Sequence, residues 1–103
     1  MHLIQLLLPL YDNQKKPFPQ ALLAEVRTEL TETFGGVTAH LRAPAQGIWK
    51  ESEGAPATRD DVVIFEVMAD ELDEAWWRGY RQDLEQRFRQ DTIVIRSIEA
   101  RSL

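Results

Sequence analysis

The sequence predicts an α+β fold with four strands and two helices in the order β-α-β-β-α-β. Three observations predict it. Two stretches repeat apolar residues at helical spacing, four others are β-branched or alternate with period two, and Gly and Pro punctuate the joins. The chain has 103 residues, 44% of them hydrophobic and 28% charged. That is the composition of a soluble globular protein, read as one domain over residues 1–103.

Residues 2–8 form the first expected strand, rich in Ile and Leu with Gln5 as its polar interruption and Pro9 as its end. A polar connection follows, and Pro19 suits the first turn of a helix because its missing N–H costs nothing there. Over residues 20–34, Leu23, Val26, Leu30 and Phe34 recur at helical spacing, and Gly35-Gly36 tolerates the left-handed turn past the helix end. Residues 37–43 alternate strictly, with Thr38, His40 and Arg42 on one face. Residues 44–58 read as a long hairpin connection with Ile48-Trp49 at its centre. Residues 61–68 are apolar and β-branched except for Glu66.

Asp70 is placed to cap a second helix with Asp73 at its N3 position. Leu72, Trp76, Tyr80, Leu84 and Phe88 make its expected apolar stripe, which leaves Trp77 at the edge of the core or as an exposed aromatic wall. Glu74–Arg78, Asp83–Arg87 and Glu85–Arg89 are acid-before-base pairs four residues apart. Gly79, inside this helix, implies close approach to the sheet or room for a ligand. Residues 92–98 form the last strand.

Right-handed crossovers place both helices on one face of an antiparallel sheet of strand order 4-1-3-2, the ferredoxin-like arrangement. The other face then presents Leu3, Leu7, Val62, Ile64, Met68, Val94 and Ile98 around the polar Gln5, His40, Arg42, Glu66 and Arg96. Monomers rarely leave so much contiguous apolar surface in water. A second copy related by a two-fold axis is the simplest cover, so a homodimer through the open face is expected.

This order and this face resemble the dimeric α/β-barrel superfamily, in which two such protomers pack sheet on sheet. Phe34-Gly35-Gly36-Val37-Thr38 and Gly47-Ile48-Trp49 also resemble segments of small bacterial proteins with that fold. The resemblance implies a homodimer and a small cleft. It leaves the activity open, since members range from cofactor-independent monooxygenases and lactone isomerases to stress-induced proteins without assigned activity.

Several chemistries are excluded by composition. The absence of Cys removes disulfides, thiol catalysis and thiolate metal sites. Two His without H-x-x-x-H or H-E-x-x-H spacing give no metal site, and no cofactor motif is present. A net charge of −5 and the lack of exposed aromatics in an RNA-binding context on the central strands argue against nucleic acid. No G-x-S-x-G elbow is present, neither a membrane span nor a signal peptide is expected, and a cytoplasmic location is expected.

What remains is the polar row. Glu66 lies within cross-strand reach of His40 or Arg42, and Gln5 of Arg96. A carboxylate beside an imidazole in apolar surroundings suits proton transfer on a small substrate, with His40 and Glu66 as catalytic candidates. Arg42 and Arg96 would hold an anionic group, and Gln5, Tyr11, Trp49 and Trp77 complete the candidate binding set. The same row also reads as ion pairs that fix dimer register, with Trp49 as an interface anchor. Two functions are therefore open: a small-molecule site using cofactor-independent acid/base chemistry, or a structural or regulatory dimerisation module.

Overall fold

The structure, a computed structural model, describes residues 1–42 and 62–103. Its elements are β1 (His2–Pro9), α1 (Gln20–Phe34), β2 (Thr38–Arg42), β3 (Val62–Ala69), α2 (Glu74–Arg87) and β4 (Val94–Glu99). They form one antiparallel sheet of order β2-β3-β1-β4, with β1 and β3 central. This is the ferredoxin-like β-α-β-β-α-β fold that the element order predicts.

Alternation decides which side is buried. Ile4, Leu6 and Leu8 of β1 and Val63, Phe65 and Val67 of β3 point to the helices and pack with Val26, Leu30, Leu84 and Phe88. Leu6, Leu8, Val26, Leu30, Leu84 and Phe88 have no exposed surface at all. Each buried side chain of this size contributes about 1.5–3 kcal/mol. Phe18 closes the end of this layer edge-on to Phe88, with ring centroids 5.1 Å apart.

Local chemistry sets the joins. Asp12 Oδ1 accepts the N–H groups of Gln14 and Lys16 at 2.8 and 2.9 Å, which turns the chain back after β1. The Lys16 N–H also holds the Asp12 carboxyl below its ordinary pKa. Gly35 ends α1 at φ 83°, the left-handed cap expected of it. β4 starts at Val94 rather than Thr92, because the Ile93 N–H is taken by Glu85 Oε2 at 2.9 Å instead of by the sheet.

The second helix differs from the sequence reading in four ways. Asp73, not Asp70, is its N-cap and accepts the Trp76 N–H at 3.1 Å. Residues 70–72 are spent carrying the chain from the sheet up to the helical layer. Trp77 is buried and Trp76 exposed, the reverse of the expected stripe. At about 100° per residue, strict four-residue steps drift round the helix. Trp77, Tyr80, Leu84 and Phe88 stay within an arc of about 80°, whereas Trp76 lies about 100° from Trp77. Gly79 is exposed, and a Cβ built there meets nothing within 4 Å, so no close approach requires it. Finally, Glu85–Arg89 does not pair. Arg89 lies beyond the helix end at φ 51°, and Glu85 turns to Ile93 and Arg81.

Candidate functional site

The register sorts the open face into rows. Thr38, Glu66, Gln5 and Arg96 lie opposite one another across all four strands. On one side of this polar row run Met68, Leu3 and Ile98, and on the other His40, Ile64, Leu7 and Val94. Thus a band of hydrogen-bonding groups is set between two bands that are apolar apart from His40 on β2. Alternation along each strand sets which residues share this face, and the register of the strand pairs, seen only in the structure, sorts them into rows.

Two contacts define the band. His40 Nε2 is 3.1 Å from Glu66 Oε1, a diagonal contact, since the residue opposite His40 is Ile64. Arg96 Nε donates to Gln5 Oε1 at 2.7 Å. The His40 side chain is 53% exposed and that of Glu66 23%. The imidazole therefore stands at the open end of the row, with the carboxylate set back toward the sheet. An imidazole beside a carboxylate can give a proton to, or take one from, a third group placed next to His40. The Gln5 amide ties down the Arg96 Nε–H and leaves the terminal guanidinium nitrogens to meet an anion or a partner carboxylate.

The remaining sequence candidates scatter. Arg42 is opposite Val62, two residues along β2 from His40. Tyr11 lies past the Pro9 end of β1, in the turn that pairs it with Pro17, and the Arg42–Val62–Pro9 end of the sheet separates it from the polar row. Trp77 is in the core on the helix side of the sheet, stacked on Phe34 with centroids 5.1 Å apart, and faces away from His40 and Glu66. Trp49 lies outside the described residues.

A second polar cluster escaped the sequence reading. Glu29 on α1 takes both terminal nitrogens of Arg87 on α2 at 2.8 and 2.9 Å, and also accepts the Tyr80 hydroxyl at 2.8 Å. Arg87 reaches Asp83 at 2.6 Å as well. The Arg87 hydrogen bonds, followed by the Tyr80 hydroxyl, hold the Glu29 carboxyl below its ordinary pKa, while burial and then the Glu29 carboxylate push the Tyr80 phenol up. Glu29 meets Arg87 and Tyr80 across the two helices, so this cluster ties α1 to α2. Asp83–Arg87 was visible as an i,i+4 pair, but Glu29 is 58 residues from Arg87 and meets it only through packing.

Among the described residues no three or more His, Cys, Asp or Glu gather as a metal site, and no helix is long and apolar enough to cross a membrane. No protein-family model and no curated protein matches the sequence. Two solved structures resemble the fold. One is a phage SAM lyase in complex with S-methyl-5'-thioadenosine, with TM-score 0.56, 12% identity, and 95% of this chain against 80% of that one covered. The other is a phage SAM lyase in the apo state, with TM-score 0.50, 14% identity, and 95% against 79% covered. At such identities the likeness is one of fold: a four-stranded sheet carrying two helices on one side.

Proposed function

We propose that the open sheet face closes on a second copy of the chain and that the space so enclosed binds a small organic molecule, with His40 and Glu66 as its acid/base pair. The observation that carries the reading is the 3.1 Å contact between His40 Nε2 and Glu66 Oε1, at the end of a polar row flanked by apolar rows. The apolar rows supply the reason to associate. Met68, Val94 and Ile98 are 47–51% exposed in the single chain. The pairing of two such sheets is that of the dimeric α/β-barrel superfamily.

Charge selects the way the copies meet. A two-fold axis parallel to the strands lays β4 of one copy over β2 of the other. The cationic Arg96 end of each row then meets the Glu66–His40 end of its partner. An axis across the strands would instead stack Arg96 on Arg96 and Glu66 on Glu66. In the favoured arrangement Arg96 and Gln5 orient a polar group of the ligand, and His40 moves a proton at it while Glu66 holds the imidazolium that forms. No cofactor enters this chemistry. That the same fold hosts a lyase solved with S-methyl-5'-thioadenosine supports its capacity for a small ligand.

A second reading is favoured by one observation: Gln5–Arg96 and Glu66–His40 are already paired within the protomer. On that reading they are ionic pins of a structural dimer. Sedimentation at micromolar concentration, with a thermal-shift panel of small phenols and carboxylic acids, separates the two. The expected result is a dimer that some panel member stabilises in the wild type but not in Glu66→Gln or His40→Ala, both still dimeric. A dimer that no panel member stabilises, or stabilises equally in both variants, supports the structural module. A stable monomer sinks both readings.

A further inference from the structure

On the helix side of the sheet, at the free edge of β4, α2 stands off far enough to leave a cleft of about 160 Å³. Its floor is apolar: Ile4, Ile95, Leu72 and the buried face of Trp77. Its rim on α2 carries two guanidiniums, Arg78 and Arg81, one turn apart, against a single carboxylate, Glu74. In a chain of net charge −5 this is a local reversal of sign.

The rim guanidiniums are loosely engaged. Arg78 approaches Glu74 at 3.8 Å, beyond hydrogen-bond distance. Arg81 Nε is 3.9 Å from Glu85 Oε2, an oxygen already occupied by the Ile93 N–H at 2.9 Å. At that distance the Arg81 Nε–H is a buried donor without a hydrogen-bond partner among the described residues, on a side chain that is 41% exposed overall. Native structures rarely leave such a donor empty. Across the cleft the strand edge adds another donor. The Ala100 N–H bonds the Met1 carbonyl at 3.0 Å. In this ladder alternate residues bond β1, so the main-chain groups of Ile95 and Ser97 point outward past the edge.

We propose that this cleft binds a small organic monocarboxylate whose apolar body is about the size of a benzene ring. The size follows from the volume, which matches engineered apolar cavities of about 150 Å³ that take up benzene. The charge follows from Arg81 and Arg78, whose planar forks suit a carboxylate. The body follows from the floor, which an inorganic anion would leave wet. The cleft shares Arg96 of β4 with the open face but lies on the helix side of the sheet, and its occupancy does not depend on the His40–Glu66 reading.

Titrations of the full chain followed by NMR, reading the Arg81 Nε–H, the Trp77 indole N–H and the His40 imidazole, test it with benzoate, benzyl alcohol and inorganic phosphate as probes. Benzoate at millimolar concentration should shift the Arg81 and Trp77 signals saturably and leave His40 unmoved. Benzyl alcohol, which has the ring without the charge, and phosphate, which has the charge without the ring, should each bind at least about tenfold more weakly. Arg81→Gln should weaken benzoate by about tenfold or more, the loss expected for a charged hydrogen bond. Arg78→Gln, at an exposed position that the fold does not need, should weaken it in the same direction. The proposal is overturned if benzoate leaves Arg81 and Trp77 unmoved, if phosphate or the alcohol matches it, or if both variants bind it as the wild type does. A shift confined to His40 also overturns it and moves the carboxylate to the sheet face.

Discussion

Arg89 closes α2 in the left-handed region at φ 51°, with the Gln90 N–H on the Glu85 carbonyl and its own N–H on that of Gln86. This is a Schellman turn in which Arg stands where Gly is preferred. The left-handed conformation costs a residue with a Cβ about 1–2 kcal/mol, and Gly returns about 0.4–1 of that as extra freedom in the unfolded chain. Arg89→Gly should therefore stabilise the protein by up to about 1 kcal/mol, seen as a rise of several degrees in Tm. Gly79 presents the opposite case. It sits exposed in the middle of α2 with open space where a Cβ would go, so Gly79→Ala should add about 0.5–1 kcal/mol. Chemical denaturation of each variant checks both values, and a loss of stability in Gly79→Ala would show that the position serves something other than helix.

At the scale of elements, the two helices are coupled by the Glu29–Arg87–Tyr80 cluster and by the stacked Phe34, Trp76, Trp77 and Tyr80 rings. Arg87 binds Glu29 through both oxygens and depresses its pKa below the ordinary 4.5. A carboxylate of lowered pKa contributes stability that is complete above its unfolded value and is lost as pH falls through the folded one. Glu29→Gln should thus be less stable than wild type near neutrality, by about 1 kcal/mol because the group keeps 34% of its side chain in water. The difference should shrink as pH drops below 4.5. Tyr80 runs the other way. Its raised pKa means that the unfolded phenol ionises first as pH climbs past its ordinary 10.0, so folding weakens in alkali and Tyr80→Phe should remove that weakening. Urea melts across the pH range read both signs, and a pH-independent gap for Glu29→Gln would refute the acid-side assignment.

For the molecule as a whole, the decisive surface is the open sheet face. Ile98 on β4 and Met68 on β3 flank Leu3 in one row and are about half exposed in the single chain. A Lys at either position stays hydrated in a monomer but is desolvated when two faces meet. Met68→Lys and Ile98→Lys should therefore leave the unfolding midpoint of a dilute monomer nearly unchanged while weakening the proposed self-association by at least about tenfold each, a loss of 1.4 kcal/mol or more. Sedimentation equilibrium of the two variants checks this. Unaltered association in both would place any dimer contact elsewhere.

How much of this was written in the chain follows from the range of the forces involved. Strand alternation, helix periodicity and the Gly35 turn act over a few residues. They predicted the elements, the β2-β3-β1-β4 order, the membership of the open face and the reach of Gln5 to Arg96, while the choice of His40 over Arg42 as the partner of Glu66 came from the structure. The exchange of Trp76 and Trp77 was a local matter too: four-residue steps accumulate a drift that three-and-four steps do not. The cap at Asp73 required knowing how far the chain travels between layers. Only the tertiary structure brought Glu29 to Arg87, took Trp77 and Tyr11 away from the polar row, and opened the cleft where Arg81 Nε is left without a partner. Those outcomes depend on how two helices sit over one sheet, and that is settled by the packing of residues far apart in sequence, which no local periodicity encodes.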